Sequence, residues 1–484
     1  MNWLLALASG LISTALFPPF GWVWLAPLSL APLLVACARE PDWKRRFLLG
    51  EIAGFVYWAG VCNWIAWVLE NHASMSAVLS WVALLLMCLI KAALWGLFAV
   101  LAGAVMRRAW AIPAAAALWT GIERLNAPQG FAWLTLGNAA ADMGVPMRLA
   151  PFCGVYGVSF LMAMLCAAVA VVWLRRPRSH LVPLAGALAT FALPELPPPD
   201  AGHESAIAVQ TAVPQSESWD RAKVDALVNR LMLLSMGAAM EPAAQRPALL
   251  IWPESPAPLY FEADPIFREA ARKLPRSTGI PFLFGTVIYQ GPAQPRNSAL
   301  LLGSGGESIA RYDKMFLVPF GEYVPPMFSW VNRVTQEAGD FVPGEQVVTP
   351  QVDGHRLGPF ICYESAFPHL VRQFAAGGAE VLINLTNDGY FGRSSAREQH
   401  LILARMRAAE NRRWLLRPTN DGFTVSIDPA GRVREKFEPF KRTAGLLRFS
   451  WITGQTLYTR AGDWFAWSCL VLGFAAAGVS LFRP

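Results

Sequence analysis

The sequence predicts a polytopic α-helical membrane bundle of eight spans combined with one water-exposed α/β domain. Three observations predict it. Charge is partitioned along the 484 residues: residues 1–196 hold 12 basic and 7 acidic side chains, residues 197–463 hold 55 charged ones, and the last 21 residues hold only Arg483. Long apolar runs fill the charge-poor parts. Short apolar runs alternate with amphipathic stretches in the charged part. A composition of 54% hydrophobic and 15% charged residues, with 20 Trp and 28 Phe, excludes a disordered chain, a nucleic-acid-binding tail, a disulfide-rich mini-scaffold and a uniformly soluble globule. No nucleic-acid partner is expected. The expected boundaries are 1–196 for a seven-span bundle, 197–463 for an outer domain and 464–484 for a C-terminal membrane helix.

A helix needs about 20 mostly apolar residues to cross a hydrocarbon layer roughly 30 Å thick. Runs near 3–17, 22–38, 47–69, 78–106, 110–125, 148–174, 181–196 and 464–482 meet or approach that length. The first and seventh are short, and the fifth carries Glu123 and Arg124, read as a packed ion pair. The first run lacks a basic flank and leaves through Phe17-Pro18-Pro19-Phe20 instead of a small-residue cleavage site, so it is expected to be retained as a helix. Arg39 and Lys44–Arg46 follow span two, Arg107 and Arg108 follow span four, and Arg175, Arg176 and Arg178 follow span six. Basic loops stay cytoplasmic. Both termini are therefore expected inside, and residues 197–463 on the outer face. Lys91, inside span four, is costly there unless it pairs or snorkels, and contact with a substrate phosphate is one role open to it.

In the outer domain, apolar runs at Ala206–Val213, Ala248–Trp252, Pro281–Tyr289, Ser298–Leu302, Pro359–Cys362, Val381–Leu385 and Trp414–Arg417 read as strands. Trp219–Met240, Asp264–Leu274, Ala366–Ala376 and Ser395–Arg413 read as helices. Interspersed strands and helices predict a layered α/β domain. Pro194–Pro199 reads as the linker out of the membrane. Six of the seven cysteines lie in or beside predicted spans, and only Cys362 lies in the outer domain, so that domain cannot staple itself.

Three polar residues close apolar strands. Leu249–Trp252 runs through Pro253 into Glu254. Arg311-Tyr312-Asp313-Lys314 follows another strand and leads to Glu322. Gly358–Cys362 runs into Tyr363-Glu364. A cysteine at a strand-to-helix turn can be exposed for attack and activated by the following amides. A buried strand-end cysteine and solvated surface charges are the bland alternatives, and only the combination points to chemistry.

These residues resemble the nitrilase superfamily, whose Glu–Lys–Cys triad sits on a four-layer αββα sandwich. They resemble more closely the apolipoprotein N-acyltransferase family of bacterial inner membranes, which inserts such a domain between its seventh and eighth spans. The matching motifs are Trp252-Pro253-Glu254, Tyr312-x-Lys314 with Leu317–Glu322, Cys362-Tyr363-Glu364, Asn387-Asp388-x-Tyr390-Phe391-Gly392, Ala404–Ala408, and Gln210 through Pro214-Gln215 to Trp219. They span essentially the whole chain. Ala132 in Gly130–Leu134, Pro418, and Gly389-Tyr390 depart from the family pattern, which bears on loop geometry and lipid preference.

The resemblance implies two acyl transfers through a thioester. A phospholipid gives its acyl chain to Cys362, and the chain passes to the α-amino group of an S-diacylglyceryl cysteine at an apolipoprotein N-terminus. Glu254 is implied as general base, and Lys314 as the cation facing thiolate and oxyanion, with an amide such as that of Tyr363 completing the hole. Glu322 is implied to orient Lys314, and Glu364 to support the nucleophile. Tyr363, Trp219, Asn297, Tyr390 and Phe391 match positions around the family's site. Phe316, Tyr323, Phe328 and Trp330 are candidates for contact with the bilayer interface. No cofactor is implied, and the six histidines (His72, His180, His203, His355, His369, His400) have no metal-ligand spacing. A monomer in the bacterial inner membrane, with its catalytic domain in the periplasm, is expected. The rival reading is a membrane-tethered nitrilase or amidase with water as acceptor.

Overall fold

The structure is a computed structural model, and it describes all residues except 73–74, 127–130, 215–217, 242–244, 256, 290–293, 320, 324–340 and 483–484. Gly130, Gln215, Phe320, Phe328, Trp330 and Arg483 lie outside the described residues.

The N-terminal part forms α1 (Asn2–Ala15), α2 (Ala31–Arg39), α3 (Trp43–Val61), α4 (Trp64–His72), α5 (Ala77–Val105), α6 (Ala111–Arg124), α7 (Gly144–Met147), α8 (Ala150–Trp173) and α9 (Ala185–Leu188). Asp42 and Ser76 cap α3 and α5 by accepting from the amides of Lys44 and Leu79. The helices of the bundle differ in length and shape. Among the described residues, α5, α8 and the final helix are each long and apolar enough to cross a membrane, and α3 with α4 makes a further candidate bent by 54°. The seventh expected span, 181–196, is not one α-helix. It is a 3-10 segment Arg178–Leu184, the single turn α9, and a second 3-10 segment Ala189–Ala192. Pro183 lies inside the first piece, where it has no N–H to give a regular helix.

The outer domain contains β1 (Glu204–Gln210), α10 (Arg221–Met240), β2 (Leu249–Ile251), α11 (Pro265–Thr278), β3 (Phe282–Tyr289), β4 (Pro295–Leu302), β5 (Ser308–Asp313), β6 (Gln351–Val352), β7 (His355–Ile361), α12 (Pro368–Ala376), β8 (Val381–Leu385), α13 (Ala396–Asn411), β9 (Trp414–Arg417), β10 (Val425–Ile427), β11 (Val433–Lys436) and β12 (Thr443–Phe449). After it come α14 (Leu457–Ala461) and α15 (Trp464–Phe482). The strands form two six-stranded sheets, ordered β12-β1-β2-β3-β4-β5 and β11-β10-β9-β8-β7-β6. β1, β2 and β3 run parallel, as do β7, β8 and β9.

Side chains alternate across each strand, and the burial pattern records which face each one takes. Ile207, Val209, Leu250, Phe282 and Phe284 share a core with Leu227 and Leu231 of α10 and Phe267 and Leu274 of α11. Their neighbours Ala208, Ile251, Leu283 and Leu301 face the other way and join Phe360, Ile383 and Leu416 of the second sheet. Phe374 of α12 and Leu403 of α13 belong to that second core as well. The layers are therefore helix, sheet, sheet, helix, an αββα sandwich. β1 enters beside β12, which leaves, with Glu204 opposite Phe449.

The domain is docked on the bundle by side chains. Gly154 breaks α8 at φ 65°, a conformation that suits glycine. The next amide, Val155 N–H, donates to Glu410 of α13 at 2.8 Å. Gln399, also of α13, donates to the carbonyls of Pro18 and Val61 at 3.0 and 3.2 Å.

Candidate active site

Glu254 lies just past β2 and is 7% exposed. The chain can lie there because β3 carries Gly285 alongside: a Cβ at 285 would sit 2.6 Å from Glu254 Cα and 2.6 Å from Ser255 N, both backbone. Glu254 Oε1 accepts from Asn297 Nδ2 at 2.7 Å and from Lys314 Nζ at 3.1 Å, and its Oε2 accepts from Asn387 N at 2.9 Å.

Lys314 is the residue after β5, and its N–H bonds to Asn297 O at 2.8 Å. Its ammonium is 1% exposed and also reaches Glu322 at 2.9 Å. Burial works to remove its proton, but the charges of Glu254 and then Glu322 prevail and hold the amine well above its ordinary range. It is a fixed cation. Glu322 is oriented in turn by Asn297 Nδ2 at 2.7 Å and Val318 N at 2.8 Å. Asn297 thus holds both carboxylates.

Cys362 follows β7 and opens a 3-10 turn, Cys362–Ala366, with φ of 50°. That left-handed conformation costs a non-glycine residue about 1–2 kcal/mol, so the surroundings must hold it. Its carbonyl accepts from His400 Nε2 at 3.0 Å and Asn384 Nδ2 at 3.3 Å. Burial pushes the thiol well above its ordinary range, Glu254 adds to this, and Lys314 opposes it. The resting thiol therefore keeps its proton until a base takes it.

Glu364 fastens the cysteine turn to the lysine segment. Its carboxyl accepts from Ile361 N at 2.7 Å, Tyr312 hydroxyl at 2.7 Å, Met315 N at 2.7 Å and Phe316 N at 3.2 Å. Burial raises it to about 7 despite these donors. Because Met315 and Phe316 follow Lys314 directly, one carboxyl ties the Cys362 turn of the second sheet to the Lys314 segment of the first.

Tyr363 faces the bundle. Its hydroxyl accepts from Ala132 N at 2.9 Å, and its ring stacks on Phe131 and Trp133 at 5.9 and 6.4 Å. Phe391 packs edge-on against Trp64 of α4 at 5.0 Å, and Tyr390 against His72 at 5.0 Å. Tyr390 is 40% exposed, at the boundary between the domain and α4. Trp219 packs against the outer core of the first sheet, where α10 and α11 lie.

Two bundle expectations change. Arg124 does not pair with Glu123. It pairs with Asp463 at 2.6 Å, while Glu123 accepts from Leu136 N at 2.6 Å. The two are adjacent on α6 and so face different neighbours. Lys91 is 1% exposed, and its ammonium donates to the carbonyls of Asn126 and Phe131 at 2.9 and 2.8 Å, so it holds the chain leading to Trp133. Arg405 and Arg407, two apart on α13, take different partners: Arg405 bonds Asp142, and Arg407 bonds Ser365 O and Glu410.

The sequence reading left Asp388, His400 and Arg417 without roles, although motif and strand signals covered Asp388 and Arg417. The structure puts all three, fully buried, in contact behind the Cys362 carbonyl.

A four-layer sandwich that gathers a carboxylate, an amine and a thiol from three strand ends defines a nitrilase-like, carbon–nitrogen hydrolase domain, and residues 208–444 match the Carbon-nitrogen hydrolase family model. Residues 9–168 match the model of the Apolipoprotein N-acyltransferase N-terminal domain. The chain belongs to the apolipoprotein N-acyltransferase family: relatives of that name from Geobacter metallireducens and Azotobacter vinelandii are 34% and 32% identical to it, over 100% and 99% of this chain and 95% of each relative. A solved amidase from Nesterenkonia sp. is 24% identical, with a TM-score of 0.40, over 54% of this chain and 94% of its own.

Proposed function

We propose that this chain moves a fatty acyl group from a phospholipid, through a thioester on Cys362, to the α-amino group of the N-terminal S-diacylglyceryl cysteine of apolipoproteins. The observation that carries the proposal is the buried Glu254–Lys314–Cys362 constellation set on an aromatic floor contributed by the membrane bundle. Glu254 takes the thiol proton, and the thiolate attacks the ester carbonyl. Lys314 Nζ and the Tyr363 amide receive the oxyanion. Collapse breaks the ester C–O bond, and Glu254 returns the proton to the departing lysophospholipid. The lipoprotein amine then attacks the thioester and loses a proton to Glu254, and the thiol is regenerated. Water would intercept a thioester, so a dry site facing lipid favours the amine as acceptor.

The finer topology belongs to the same proposal: residues 1–196 as seven passes, 197–463 as a periplasmic catalytic domain, 464–484 as an eighth pass, and both termini cytoplasmic. Support for the seventh pass comes from its 3-10 geometry. Its 7, 4 and 4 residues, at about 2.0 Å rise in 3-10 and 1.5 Å in α conformation, reach roughly 28 Å. We take the working unit to be a monomer in the bacterial inner membrane.

The test is transfer of a labelled acyl chain from phospholipid vesicles to a synthetic diacylglyceryl lipopeptide. Wild type is expected to produce the N-acylated lipopeptide, and folded Cys362→Ala and Cys362→Ser variants none. Full transfer by Cys362→Ala would overturn the thioester, and release of free fatty acid as fast as lipopeptide acylation would make the enzyme a hydrolase.

A further inference from the structure

The groups behind Cys362 go beyond the three catalytic side chains. His400 Nε2 lies 3.0 Å from the Cys362 carbonyl oxygen. A carbonyl only accepts, so Nε2 carries the proton. The other ring nitrogen, Nδ1, lies 2.9 Å from Asp388 Oδ1 and 2.9 Å from Arg417 Nη2. Arg417 also bonds Asp388 directly, at 2.9 and 3.1 Å. None of the three is exposed.

The two buried charges satisfy each other without the imidazole. What His400 adds is one N–H on one particular carbonyl. That carbonyl belongs to the peptide joining Cys362 to Tyr363, and the N–H at the other end of the same peptide is the Tyr363 amide. Cys362 stands in the left-handed region, so the orientation of this peptide is imposed from outside. A hydrogen bond at the C=O end of a peptide also strengthens the N–H at its far end as a donor.

We propose that His400 is a positioning residue for acyl transfer: its Nε2–H fixes and polarises the Cys362–Tyr363 peptide so that the Tyr363 amide meets the oxyanion. The inference rests on the acyl-transfer reading above.

The experiment uses the full-length protein with His400→Leu, His400→Asn and His400→Gln, and two rates at Cys362. Acylation by phospholipid passes through an oxyanion. Alkylation by iodoacetamide is a displacement that does not. A Gln side-chain nitrogen can reach the place of Nε2, whereas Asn reaches only the place of Nδ1. Leu and Asn are expected to slow acylation about 10- to 100-fold, within the range seen when oxyanion donors are weakened or lost, while alkylation stays within about twofold. Gln is expected to restore most of the acylation rate. Equal losses in both rates, no loss in either, or better rescue by Asn than by Gln would each overturn the role of His400. If wild type alkylates at Cys362 but takes no acyl group from phospholipid, the acyl-transfer reading falls instead, and this inference with it.

Discussion

Lys314 separates two carboxylates, Glu254 and Glu322, that would otherwise face each other out of water. Removing the cation does more than delete an oxyanion donor, because it leaves both acids without their countercharge. Lys314→Met is expected to lower acyl transfer by about 10²–10³-fold. It should also destabilise the domain by several kcal/mol, about 3–5 by analogy with broken buried pairs. Turnover and thermal unfolding in the same detergent check the two parts. Wild-type turnover in the variant would remove Lys314 from the mechanism. At this scale the sequence was informative wherever a polar residue closed an apolar strand, which is why Glu254, Lys314 and Cys362 stood out. It was silent on His400. A histidine was weighed there only as a metal ligand, whereas its partners are a carbonyl, an aspartate and an arginine from separate segments that only folding brings together.

β2 and β3 show how an element places a side chain of the proposed triad. Gly285 on β3 lets the chain around Glu254 pass close by, so Gly285→Ala drives a Cβ into the Glu254 and Ser255 backbone. We expect it to destabilise the domain by about 1–3 kcal/mol, the usual range for overpacking, and to lower transfer by displacing Glu254. Denaturant unfolding and transfer rates measure both, and an unperturbed variant would mean that Glu254 tolerates movement. Strands with long apolar runs, such as β3 and β8, were legible in advance because both their faces are buried. β6, β10 and β11 were not, since they are 2 to 4 residues long and take their pairing from neighbours. The bundle helices were legible as apolar segments but not as shapes. Hydropathy does not register the bend between α3 and α4 or the 3-10 character after Arg178, because both depend on packing and on proline position. Spacing along one helix also misassigned Arg124, whose partner Asp463 is 339 residues away.

The whole molecule joins a charge-poor bundle to a domain whose Tyr363, the residue after Cys362, stacks on Phe131 and Trp133 of the bundle. Gln399 and Glu410 of one helix, α13, reach bundle backbone from Pro18, Val61 and Val155, so the candidate site and the bundle beside it are positioned together. The proposed orientation predicts a labelling pattern. Ile266, 63% exposed on the outer domain, replaced by Cys should react with a membrane-impermeant maleimide in cells whose outer membrane alone is opened. Arg45→Cys should react only after the inner membrane is broken. Both replacements are made on Cys362→Ser, because Cys362 is itself open to alkylation; the other six native cysteines are buried or half-buried and set a low background. The reverse pattern would invert the topology. The central claim, an acyl-enzyme at Cys362 that lipid surroundings reserve for an amine, is tested most directly by intact-protein mass spectrometry of enzyme purified from membranes. The account predicts an added fatty-acyl mass on Cys362 that hydroxylamine removes and a diacylglyceryl lipopeptide discharges much faster than buffer does. No acyl adduct after incubation with phospholipid, or loss at the same rate with and without the lipopeptide, would contradict it.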